Sequence, residues 1–149
     1  MLRLRLIGAV IGALLLALPA QAKNEVPNLV LQEVLIKTSL LTLNDANLTG
    51  NYAVLHDKLA KPFRDQFSPE KLKQAFKSFA DKHVDWGLIA AKTPIPTSEP
   101  KIDSRGALIL NGYFDTKPSR VSYQLDFLPS EGEWKPIKLN VQVKPPEEK

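Results

Sequence analysis

Two histidines stand beside carboxylates in this chain, His56 next to Asp57 and His83 two residues before Asp85. An imidazole held by a carboxylate is a common general base. Adjacent residues on a helix point in different directions, however, so His56 and Asp57 do not form a dyad by adjacency. His83 falls at the end of a predicted helix, where the dipole favours a cation and a capping role accounts for it. With two His, no Cys and no HExxH spacing, a zinc site lacks ligands, so no metal and no other cofactor is expected. The lack of Cys also removes thiolate catalysis and disulfides. No Gly-rich phosphate loop and no Ser nucleophile motif occurs. What remains is a set of rings with polar tips: Tyr52, Trp86, Tyr113, Tyr123 and Trp134. Such rings orient small ligands in pockets, and they equally pack cores with their tips at the surface.

The elements that must position these rings change period along the chain. From Leu29 to Leu43 the apolar residues cover more than one helical face, which predicts a long helix packed on two sides. Asn44, Asp45 and Asn47 then supply turn chemistry, and Thr49 can cap a short second helix from about Asn51 to Leu59, closed by Pro62. Ser68-Pro69-Glu70 marks the start of a third helix that ends near His83, with Leu72, Ala75, Phe76 and Phe79 on its apolar side. Val84 to Ile89, which contains Trp86, reads as a first strand, and the prolines between Thr93 and Pro100 make a connection unfit for a central ladder. Strand periods follow. Leu108 to Phe114 is one run; Val121, Tyr123, Leu125 and Phe127 alternate with polar residues; Ile137, Leu139, Val141 and Val143 alternate with Lys138, Asn140 and Gln142. One face of an antiparallel sheet is therefore apolar and the other wet.

The N-terminus carries an export signal. Arg3 and Arg5 precede the uncharged run Leu6–Leu18, Pro19 breaks it, and Ala20-Gln21-Ala22 offers the small-x-small pattern of a cleavage site before Lys23. That run of 13 is short of the roughly 20 residues that span a bilayer, so no membrane anchor is expected after cleavage, and without Cys no lipid anchor of the lipoprotein kind. Residues 1–22 are read as the signal peptide, 23–144 as a single domain and 145–149 as a disordered polar tail. The expected location is periplasmic or secreted. Removing the signal lowers the formal charge from +4 to +2, with 18 basic and 16 acidic groups left. Lysines lie close to acids along most of the chain, which argues against a nucleic-acid partner.

Three stretches carry a resemblance to a known superfamily. Gly50-Asn51-Tyr52-Ala53-Val54-Leu55-His56 looks like a short second helix opened by a Gly-Asp-Tyr type motif, with Asn51 in the acidic place. The run from Phe63 to Leu72 resembles the lead into a third helix, and Glu131 to Ile137 resembles a terminal hairpin with a Trp before the last strand. In that order they resemble the NTF2-like superfamily, particularly its small exported families. The resemblance implies an α+β fold in which three N-terminal helices pack on a curved antiparallel sheet of three to four strands, a cone. It also implies a site in the cone mouth, for which Tyr52, His56, Trp86 and Tyr113 form the best pocket set because they combine aromatic surface with hydrogen-bonding tips. Such folds host many activities. The leading expectation is a non-catalytic module binding a small apolar ligand or a protein partner, as a monomer or as a homodimer through the outer sheet face. The alternative is a small cofactor-independent isomerase or hydratase with its base in the cone.

Overall fold

Asn28 starts the first helix, its side-chain oxygen accepting from the Leu31 amide at 2.9 Å. The computed structural model describes residues 25–144. The expected export signal, with Ala20, Ala22 and Lys23 at its expected cleavage site, and the expected tail at 145–149 lie outside the described residues. Helix α1 runs Leu29–Thr49 and ends on Gly50, whose φ of 73° is the left-handed conformation that glycine adopts without penalty. At 1.5 Å per residue it is about 31 Å long. It continues through Asn44, Asp45 and Asn47, where a turn was expected, because residues beyond the helix engage both polar atoms of the Asn44 side chain and the Asn47 Oδ1. Asn44 bonds Asp85 and the Trp86 amide, and Asn47 accepts the Tyr52 hydroxyl. Thr49 finishes α1 instead of opening the next helix: it donates to the Asp45 carbonyl at 2.7 Å and accepts from the Asn51 amide at 3.2 Å.

Among the described residues five α-helices stand where three were expected. Helix α2 is Ala53–Lys58, and α3 is a single turn, Lys61–Arg64, in which Pro62 sits at a first-turn position that needs no amide. Helix α4, Pro69–Ala75, starts on the Ser68 cap as the sequence predicts, with Ser68 Oγ accepting from the Lys71 amide at 3.3 Å. The expected third helix breaks at Phe76. Its second part, α5, is Lys77–Asp81, from which Phe79 meets the Trp86 ring edge-on at 5.1 Å. Val84 to Ile89 is not a strand. Asp85 Oδ1 turns back to the Gly87 amide at 2.8 Å, and residues Gly87–Ala91 form a 3-10 helix with Trp86 at its cap.

Among the described residues the sheet has five strands: β1 Ile95–Pro96, β2 Lys101–Ile102, β3 Leu108–Phe114, β4 Arg120–Ser130 and β5 Glu133–Lys144. All pairings are antiparallel in the order β1-β3-β4-β5, and β2 also pairs with β3. The proline-bearing β1 stays at the edge, where a missing amide costs least. Glu131 and Gly132, with φ of 55° and 83°, make the two-residue turn between β4 and β5. Leu108, Leu110, Phe114, Leu125 and Phe127 are buried on the inner face against Leu40, Leu43 and Ile89.

One irregularity decides what the hairpin presents. The register passes from Asp126↔Lys138 to Phe127↔Pro136, so Ile137 is bulged out of the pairing. Beyond the bulge the alternation of β5 changes phase. Trp134 and Pro136 become the buried residues, in place of the Ile137 phase that simple alternation predicts.

Candidate functional site

Helix α1 carries two stripes. Ile36, Leu40 and Leu43 face the core and are buried. Leu31, Val34, Leu35, Thr38 and Thr42, spaced by three and four, form a second stripe on a neighbouring face. This second stripe is one wall of a groove of about 510 Å3, within the range of small-ligand sites. Leu55 of α2 and Phe127, Trp134 and Pro136 of the β4–β5 hairpin complete its apolar lining. Leu55 and Phe127 are almost wholly buried, whereas Leu31 and Val34 remain 41% and 51% exposed. Upstream, Val26, Leu29 and Val30 extend the apolar surface into solvent.

The polar members of the lining are Thr38, Ser39 and Thr42 of α1, the Asp57–Lys58 pair, and Glu133 and Lys135 of β5. Lys58 Nζ donates to Thr42 Oγ1 at 3.3 Å, so α2 is tied to the hydroxyl-bearing part of the α1 stripe. Lys135 Nζ lies 3.4 Å from Glu131 Oε2.

A latch of hydrogen bonds crosses from the α2–α3 corner to the β4–β5 hairpin. The Ala60 amide donates to the Pro136 carbonyl at 2.9 Å, and the Lys61 amide to Ser130 Oγ at 3.1 Å. Arg64 donates to Glu131 across the same junction and to the carbonyls of Asp57 and Leu59, each at 3.3 Å. The bond from Arg64, with help from Lys135, lowers the Glu131 pKa below the ordinary glutamate value. The α2–α3 corner is thereby fastened to the hairpin turn.

The four ring residues chosen from sequence are placed elsewhere. Tyr52 is buried with its hydroxyl on Asn47 Oδ1, and burial raises its pKa. Trp86 is buried with Nε1 donating to the Leu40 carbonyl at 2.8 Å. His56 is half-buried, and its Nε2 lies 3.0 Å from the Arg64 carbonyl, an acceptor, so that nitrogen carries the proton. Its Nδ1 is 3.8 Å from Asp57 Oδ1, beyond hydrogen-bonding distance. Tyr113 lies beneath the Arg120 guanidinium, 4.1 Å from the ring centroid. None of the four lines the groove, and among the described residues no hydrogen bond or ring contact joins any two of them. Of the rings named from sequence, Trp134 alone reaches it. The residues that sequence reasoning missed are those of the α1 second stripe, and their signal was the excess of apolar positions over one helical face.

A smaller hollow of about 260 Å3 lies over the outer sheet face, lined by Thr97, Ser98, Asn111, Ser122, Gln124, Asn140 and Gln142 with the strand segments at Gly112 and Tyr123. Lys138, Asn140 and Gln142 are exposed there, as the alternation predicts. Among the described residues no cluster of three or more His, Cys, Asp or Glu could hold a metal ion, and no helix is long and apolar enough to cross a membrane. No protein-family model, no curated protein and no solved structure matches this chain.

Proposed function

We propose that this chain is an exported NTF2-like module that binds a small apolar ligand, without catalysis, in the groove between α1, α2 and the β4–β5 hairpin. The observation that carries the reading is the second apolar stripe of α1. Leu31 and Val34 stay half in water, although the hairpin opposite presents Trp134, Phe127 and Pro136 to the same space. Displacing water from such a surface contributes about 25 cal/mol for each Å2 buried, which a ligand gains and the free protein forgoes. The helices-then-sheet order and the bulged, long β4–β5 hairpin support the cone form of the fold. Export rests on the order of charged, apolar and small residues in 1–22.

The test is titration with N-phenyl-1-naphthylamine, a neutral dye that brightens on leaving water. Wild type should bind it saturably, and Val34→Asp, at a half-exposed position that folding tolerates, should weaken binding at least tenfold with an unchanged circular-dichroism spectrum. Equal dye binding by the two proteins refutes the groove. For export, the protein recovered from outside the cytoplasm should begin at Lys23.

A further inference from the structure

We propose that the occupant of the groove is a straight-chain fatty acid, its hydrocarbon along Leu31, Val34, Leu35 and Trp134 and its carboxylate at Lys58 and Thr42. The inference rests on the reading of the groove as an apolar-ligand site and adds the ligand's class.

Three observations carry it. The groove stripe of α1 is graded: it begins with Leu31, Val34 and Leu35 and continues with Thr38 and Thr42, so one end is apolar and the other bears hydroxyls. A wholly apolar ligand would desolvate those hydroxyls without return, whereas a ligand with one polar end matches the gradient. The charges are also unequal. Lys135 is engaged by Glu131 at 3.4 Å, whereas Lys58, at the hydroxyl end, has no carboxylate within ion-pairing distance among the described residues and donates only to Thr42 Oγ1. An incoming carboxylate would accept from Lys58 Nζ and from the Thr42 hydroxyl, two charge-assisted bonds at one end of an apolar trough. Asp57, also in the lining, is 81% exposed and turned to water. The third observation is length. Leu31 to Thr42 spans about 16 Å of helix axis. With carbon–carbon bonds of about 1.5 Å and angles near 111°, an extended chain advances about 1.25 Å per carbon, so about 13 carbons fill the trough.

The experiment is displacement of N-phenyl-1-naphthylamine by the saturated C8 to C18 fatty acids, below their micellar concentrations, with 1-dodecanol as the uncharged control. Affinity should rise up to about fourfold per methylene while carbons enter the groove, and flatten near C13 to C14. Dodecanoate should bind about tenfold more tightly than dodecanol. Lys58→Met should remove most of that preference by weakening dodecanoate far more than dodecanol, and Lys58→Arg should restore it. If dodecanol and dodecanoate bind equally, or Lys58→Met weakens both alike, the fatty-acid proposal is overturned while the apolar groove stands. If affinity keeps climbing through C18 without a plateau, the length argument falls and the proposal with it. If no chain displaces the dye and Val34→Asp leaves dye binding intact, the groove reading fails as well.

Discussion

Replacing Asn44 with Ala tests how much its amide adds to the Trp86 and Lys37 bonds that also hold the 3-10 segment to α1. Asn44 is 2% exposed; its Nδ2 donates to Asp85 Oδ1 at 2.9 Å and its Oδ1 accepts from the Trp86 amide at 3.0 Å. The Ala variant strands the buried Trp86 N–H, which costs about 1–3 kcal/mol, and removes a bond to a solvent-facing carboxylate worth about 1 kcal/mol. A water entering the vacated space would recover part of this, so about 2 kcal/mol is expected. With a urea slope of about 2 kcal/mol/M, the unfolding midpoint should fall by about 1 M. Urea titration followed by tryptophan fluorescence measures it. The acid limb supplies a second readout. The Asn44 bond, and then the Gly87 amide, lower the Asp85 pKa from its ordinary 3.8. A carboxylate with a depressed folded pKa adds stability above its unfolded value and loses it as pH falls through the folded one. Wild type should therefore weaken as pH drops below about 4 more steeply than Asn44→Ala does. A midpoint shift below 0.3 M, or identical acid limbs, would refute the clamp.

Gly112→Ala should destabilise by about 2 kcal/mol in the same urea assay, because a Cβ there would lie 2.4 Å from the Ile95 carbonyl oxygen and 2.5 Å from the Tyr123 hydroxyl; a cost under 0.5 kcal/mol would mean that β1 moves aside freely. Burial pushes Tyr123 up to about 12 and raises Tyr52 as well. Ultraviolet titration should accordingly show Tyr52 and Tyr123 ionising later in the folded protein than in the unfolded one, and stability that is complete below pH 10 should be lost between there and about pH 12, since these two tyrosines release protons in the unfolded chain that they retain in the fold. Tyr52 and Tyr123 both titrating near pH 10 in the folded protein would contradict their packing.

The β4 and β5 strands were legible because alternation at period two is a local signal: Val121, Tyr123, Leu125 and Phe127 lie on one side as read. The bulge was not legible, since extruding Ile137 depends on how β5 meets β4, and with it went the placement of Trp134 and Pro136. The Ser68 cap was local and readable. Asn44 and Asn47 read as helix breakers because their side chains compete for backbone groups. In the fold those side chains are occupied by residues 85–86 and by Tyr52, so the competition vanishes and α1 continues. The pocket set read from the sequence stands apart from the groove for a related reason. Tyr52, Trp86 and His56 have polar tips that suit ligands, and each tip is spent on an internal acceptor from another part of the chain. The groove was half-visible: α1 did show two apolar faces, but periodicity alone cannot say which of them the rest of the chain covers.

The latch joining Ala60 to Pro136 has a consequence for biogenesis. The walls of the groove come from opposite ends of the chain, with roughly 80 residues between the end of α1 and the start of β5. At ribosomal rates of about 5–20 residues per second, α1 waits about 4–16 s for the hairpin that forms the opposite wall of its groove. During that interval α2, α5 and the 3-10 segment, all made before β5, can cover the core-facing stripe, whereas the groove stripe stays bare. The nascent chain therefore has reason to need a holding chaperone over residues 29–43, and a ligand present as the hairpin docks would protect the stripe that folding leaves open.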